Sequence, residues 1–177
     1  GKTVVLSASG TLVMEGDLSW GDQAADKARL VVISAGEAKF SPGMTLSSAT
    51  SDLVLSSRSD LSLDAVKLLV SQEATVQGMR DVSLQNVDFG ANAKATVRAA
   101  RNLNVDGMTF SRPPASVLME ATTLRLSNVN FPATSTIRLN SLKGPIDGKY
   151  PNFGTAIPAA QQVGRVNFIQ NVSSGGN

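Results

Sequence analysis

The chain has 177 residues, 42% of them hydrophobic, which suits one domain with a continuous core; 16 Lys and Arg against 14 Asp and Glu leave a net charge of +2 and no footing for nucleic acid. Cysteine and histidine are both absent, which excludes disulfides, thiolate chemistry and the histidine-based triads, and removes the commonest metal ligand. Any chemistry falls to carboxylates, Lys, Arg or Tyr.

The first predicted elements are short apolar-x-apolar pairs, the period-two signature of strands with one buried face. They are Val4 and Leu6, Leu12 and Met14, then Leu18 and Trp20. Residues Gly21 to Ala28 (GDQAADKA) interrupt them and are expected to form a surface loop or single helical turn. The pairing resumes with Val31 and Ile33, Ala38 and Phe40, Met44 and Leu46.

From Leu53 onward the pairs recur at a spacing of 21 residues. One column reads Leu53, Ala74, Ala95, Ser116, Ile137, and its neighbour reads Leu55, Val76, Val97, Leu118, Leu139. Others read Leu61, Val82, Leu103, Leu124 and Leu63, Leu84, Val105, Leu126. The last two are Val66, Val87, Met108, Val129 and Leu68, Phe89, Phe110, Phe131. Three strands in so few residues leave no room for an intervening helix. The chain must therefore bend at each corner and stack its next coil on the last, in a triangular parallel β-helix. Crossover chirality favours the right hand. The expected fold is an all-β, single-stranded right-handed parallel β-helix with three short strands per coil and about seven coils. At about 4.8 Å per stacked strand this is a rod of roughly 30 Å.

The corners support the same fold. Asn86, Gly107 and Asn128 precede the third pair of successive coils, and these types tolerate the left-handed backbone of a sharp turn; Ala65 breaks the column. The phrases Leu84-Gln85-Asn86-Val87-Asp88-Phe89 and Leu126-Ser127-Asn128-Val129-Asn130-Phe131 resemble the repeats of filamentous-haemagglutinin-like and pectate-lyase-like right-handed β-helices. The resemblance spans roughly residues 1–140 and implies an architecture found in bacterial secreted and surface proteins.

Residues 141–177 depart from the repeat. Pro145, Pro151 and Pro158 lie in this stretch, with Pro132 just ahead. It is expected to fold over the last coil as a cap with Tyr150 and Phe153, followed by a strand-like run from Val166 to Ile169 and a flexible Ser/Gly tail. No run approaches the roughly 18 apolar residues that span a bilayer. Gly1 does not open a signal peptide, so the chain is expected to be an excised or mature segment.

Candidate functional residues are few. Enzymes on β-helices gather Asp, Lys and Arg on one outward face. Here the outward positions read Asp60, Asp81, Asn102, Thr123 and Asp64, Gln85, Asp106, Ser127, without a carboxylate pair and basic group kept together across coils. Asp81, Asp88 and Asp106 are nonetheless expected within several ångströms of one another. Arg80 and Arg101 stack one coil apart, with Arg98 nearby and Asp81 beside them, as a surface charge ladder or an anion-binding patch. Thr75 and Thr96 share a face, but Val117 and Arg138 continue their column, so there is no regular Thr array. Val5, Val32 and Val54 read as an outward aliphatic stripe, either covered by a neighbouring domain, a missing N-terminal segment or a second copy, or simply β-branched residues favouring strands.

These features point to a non-catalytic scaffold or adhesive segment of a larger exported bacterial surface protein, extracellular or cell-surface in location. It needs no cofactor, metal or catalytic residue. Its expected partners are neighbouring domains of the same polypeptide, a homo-oligomer through an exposed strand face, or a glycan. The alternatives are a β-helix that binds or cleaves an extracellular polysaccharide and a self-assembling filament subunit.

Overall fold

The computed structural model describes residues 1–21, 28–132 and 134–143, together with the backbone of 146–149, 166–168 and 172–174. Every regular element described is a β-strand, and every pairing among the strands is parallel.

Three sheets form the faces of the solenoid. Sheet A holds β1 (Lys2–Ala8), β4 (Ala28–Ser34), β7 (Leu53–Ser57), β10 (Glu73–Gly78), β13 (Lys94–Ala99), β16 (Ser116–Ala121), β18 (Thr136–Ser141) and β20 (Val166–Phe168), in that order. Sheet B holds β2 (Leu12–Met14), β5 (Ala38–Phe40), β8 (Leu61–Asp64), β11 (Val82–Gln85), β14 (Asn102–Asp106), β17 (Thr123–Ser127), β19 (Ile146–Lys149) and β21 (Val172–Ser174). Sheet C holds β3 (Leu18–Ser19), β6 (Thr45–Ser48), β9 (Lys67–Val70), β12 (Asp88–Ala91) and β15 (Thr109–Arg112). Among the described residues sheet C has five strands, so five coils there are complete with three strands each, against the expected seven. Sheets A and B each continue for three further strands.

The core is a stack of aliphatic columns between these sheets. Leu53, Ala74 and Ala95 pair in succession, as do Leu55, Val76 and Val97, and all six are buried. Phe89 and Phe131 are buried, while Phe110 between them is only partly so; its ring lies 6.4 Å from Phe89 and 6.1 Å from Phe131. A third inward column went unread in the sequence: Ser34, Ser57, Gly78, Ala99, Ala121 and Ser141. Its residues are small because the chain folds back here, and a Cβ on Gly78 would lie 2.8 Å from a methyl of Val82 in the next strand. The buried hydroxyls satisfy the turn's carbonyls: Ser34 and Ser57 both donate to Gly36 O, at 2.5 and 2.7 Å.

The register corrects the expected columns twice. In the second coil Leu30 and Val32, not Val31 and Ile33, pair with Leu53 and Leu55 and point inward. In the sixth, Val117 and Met119, not Ser116 and Leu118, continue from Ala95 and Val97. The cause of the second shift is local. Asp88 pairs with Thr109 but Gly90 with Arg112, so β15 carries one extra residue as a bulge. A shorter corner restores the phase, because Ala99 stands over Ala121 while Leu103 stands over Leu124.

Asn86, Gly107 and Asn128 adopt the left-handed backbone expected of them, with φ of 51°, 75° and 52°. Ala65, which has the wrong residue type for that column, takes the same conformation at 52°. The geometry is imposed by the stack, since Ala65 N–H bonds Gln85 O at 2.8 Å and Asn86 N–H bonds Asp106 O at 2.7 Å.

The surface loop expected within Gly21 to Ala28 falls on residues 22–27, outside the described residues, and Ala28 already belongs to β4. Most of the expected cap, including Tyr150 and Phe153, is likewise outside them. The described parts of residues 141–177 extend the ladders: β19 lies beside β17, β20 beside β18 and β21 beside β19.

Candidate functional site

The corner between sheets A and B carries the charged residues singled out in the sequence. Four successive coils present one polar side chain there: Asp60 and Asp81 just before β8 and β11, and Asn102 and Thr123 as the first residues of β14 and β17. The peptide bends at this corner, which leaves N–H groups for side-chain oxygens to satisfy. The Asp60 carboxylate accepts Asp81 N–H at 3.1 Å, and that of Asp81 accepts both the Asn102 N–H at 3.1 Å and its side-chain amide at 2.9 Å. Thr123 Oγ1 donates to Asn102 Oδ1.

Two guanidinium groups flank this ladder. Arg80 Nε lies 3.7 Å from Asp60 and Arg101 Nε 3.7 Å from Asp81, so each pairs with the carboxylate of the preceding coil. Arg98 is not part of this group: it stands on the outward face of sheet A and pairs with Glu120 of the following coil, again at 3.7 Å. All of these side chains are at least one-third exposed, so each pair contributes on the order of 0.2–1 kcal/mol.

The expected gathering of Asp81, Asp88 and Asp106 resolves into separate bonds. Asp88 accepts Ser111 N–H at 2.8 Å, Asp106 accepts the Asn128 amide at 2.7 Å, and Asp81 serves the corner ladder. A carboxylate that accepts donors from the coil above it is held as a turn brace.

The outward aliphatic stripe also differs from its expected membership. Val32 points inward, paired with Leu55 and buried at 1%. The residue between Val5 and Val54 is Val31, and the column continues through Thr75, Thr96, Leu118 and Arg138. Leu118, rather than Val117, therefore follows Thr96. Val5 is 55% exposed, but Val54 and Thr96 are buried although they face outward.

Two surface hollows were not foreseen. A groove of about 310 Å³ crosses three coils of sheet B and is lined by Ser83, Gln85, Asn104, Asp106, Arg125 and Ser127. Its signal in the sequence is the set of polar residues alternating with the Leu and Val columns. A larger cleft of about 650 Å³ at the entry to sheet A is lined by Lys2, Arg29, Thr50, Asp52 and Glu73 among others. Asp52 accepts Glu73 N–H there at 3.0 Å, repeating the brace of the opposite corner. Among the described residues no helix is long and apolar enough to cross a membrane.

Compared with protein-family models, curated proteins and solved structures, the chain matches none. The fold and the chemistry of its faces thus carry the functional reading.

Proposed function

We propose that this chain is a passive, rigid scaffold or adhesive segment of a larger exported bacterial protein, held outside the cell or at its surface. One observation carries the reading: the polar side chains of adjacent coils are spent on one another. The run from Asp60 through Asp81 and Asn102 to Thr123 ties four coils together along the rod, and Arg80 and Arg101 close on the same ladder. This stiffens a stalk and leaves the Asp and Arg side chains serving structure. The resemblance to filamentous-haemagglutinin-like repeats supports the same use. Incubation with polygalacturonate, alginate and other acidic glycans, with or without calcium, is expected to release no product. Reducing-end or unsaturated products that disappear in Asp81→Asn would overturn the reading.

A second reading, glycan binding without cleavage, is favoured by the sheet B groove. Its hydroxyl, amide, carboxylate and guanidinium groups suit the hydroxyls of an extended polysaccharide lying across the coils. Titration calorimetry with oligosaccharides separates the two: binding lost in Arg125→Ala supports a glycan-binding face, and no heat with any glycan supports the plain scaffold.

A further inference from the structure

We propose that the outward face of sheet A is a self-recognition surface on which a second copy of this chain packs face to face, its rod antiparallel to the first, about a two-fold axis that runs along the strands between β10 and β13. This goes beyond the scaffold reading, which needs no partner copy.

Three columns of outward side chains run along sheet A. The last of them in strand direction is knit together within the chain. Gln77 Nε2 donates to Ser56 Oγ at 3.0 Å, and Glu120 takes both Arg98 at 3.7 Å and the Asn140 amide at 2.8 Å. The first column is different. Glu73 and Lys94 are register partners on β10 and β13, yet among the described residues neither holds an ion pair. Two opposite charges one coil apart are left turned to solvent on this face.

The middle column supplies the relief. Val31, Thr75 and Leu118 are half-buried, whereas Val54 and Thr96 between them are recessed, at 9% and 4% exposed. Raised and recessed side chains thus alternate from coil to coil, and this selects the register. An axis between β10 and β13 sets Thr75 against Thr96 of the second copy and Leu118 against its Val54, a raised side chain over a recessed one each time. The same axis sets Glu73 against Lys94 of the second copy and Lys94 against its Glu73, so four charges of alternating sign meet across the interface. Asp52 then faces Ser116 and Arg98 faces Gln77, and no like charges oppose each other.

Other axes lack this match. One through β10 or β13 sets Glu73 or Lys94 against itself. One between β7 and β10 sets Asp52 against Glu73 and Arg29 against Lys94, and one along the rod sets Lys94 against Arg98. Faces packed about the chosen axis have aligned strands and lie about 10 Å apart. The two-fold pairing closes on itself, and it leaves both ends of the rod free to continue into neighbouring segments.

The test is mass in solution, by light scattering after size exclusion, with the chain at about 100 µM to reveal an interface of modest area. The wild-type chain is expected at twice its 18.4 kDa. Glu73→Lys sets lysine against lysine and Lys94→Glu sets carboxylate against carboxylate, so each alone is expected at the mass of one chain, with the circular dichroism of the wild type. An equimolar mixture of the two is expected to regain the mass of two chains, because each variant then supplies the charge that the other lacks. Both reversals combined in one chain are expected to do the same. Met79→Lys, exposed at the corner after β10 and outside this face, is expected to remain dimeric. A monomeric wild type, a dimer that survives either single reversal, a mixture or double reversal that stays monomeric, or masses that climb beyond two chains would each overturn the proposal.

Discussion

The first coil and the middle coils place the same kind of residue at the same position, with different results. Val4 and Leu6 occupy the inward columns that run on through Leu30 and Leu53, and through Val32 and Leu55. In the third coil those positions are fully buried; in the first they are 45% and 39% exposed. In a solenoid an inward residue is covered largely by the coils above and below it. Burial is therefore shared between neighbours, and an end coil holds about half of what a middle coil holds.

The largest effect that sharpens this contrast is expected from Phe89→Ala. Its ring is fully buried between coils, and its loss is expected to cost about 3–5 kcal/mol in urea unfolding. Phe110→Ala should cost less, because that ring is partly exposed beside the bulge. Leu6→Ala is expected to cost under about 1 kcal/mol, since much of its side chain already meets water. Equal losses at Phe89 and Leu6 would break the comparison.

The left-handed corners provide the next test. Gly107→Ala places a Cβ 2.5 Å from Asn86 Oδ1 at a φ of 75°, and a loss of about 1–3 kcal/mol is expected by thermal denaturation. Ala65→Asn works in the opposite direction. It relieves an alanine held at a φ of 52° and brings the corner into line with Asn86, for an expected gain of about 0.5–1 kcal/mol. A destabilised Ala65→Asn would show that the stack does not impose the conformation.

The smallest effect is expected at the charged corner. Asp81→Asn keeps an oxygen to accept the Asn102 N–H but weakens the Arg101 pair, both partly exposed, so the expected loss is under about 1 kcal/mol. The loss should shrink further in high salt.

Particular residues show why some of this was legible in advance. The pairs Ala74 and Val76, and Ala95 and Val97, alternate cleanly with Thr, Gln and Arg, so their phase is written in the sequence and the structure keeps it. Leu30-Val31-Val32-Ile33 is apolar at four consecutive positions and carries no phase of its own. Pairing with Leu53 and Leu55 selects Leu30 and Val32 for the core, a one-residue difference that exchanges the faces of the whole strand. The same ambiguity misplaced Leu118, where the bulge in β15 adds a residue that a fixed spacing of 21 cannot anticipate. The candidate Asp and Arg residues were found from the sequence, but which carboxylate each guanidinium meets was not, because Asp60 and Arg80 belong to different coils.

What the sequence by itself determined is the parallel three-strand coil, since recurring apolar pairs separated by turn residues are buried together in no simpler way. The phase of unbroken apolar runs and the left-handed backbone at Ala65 were decided by tertiary structure alone. Each depends on what lies one coil away, where hydrogen-bond register and shared burial outweigh the preference of any single residue.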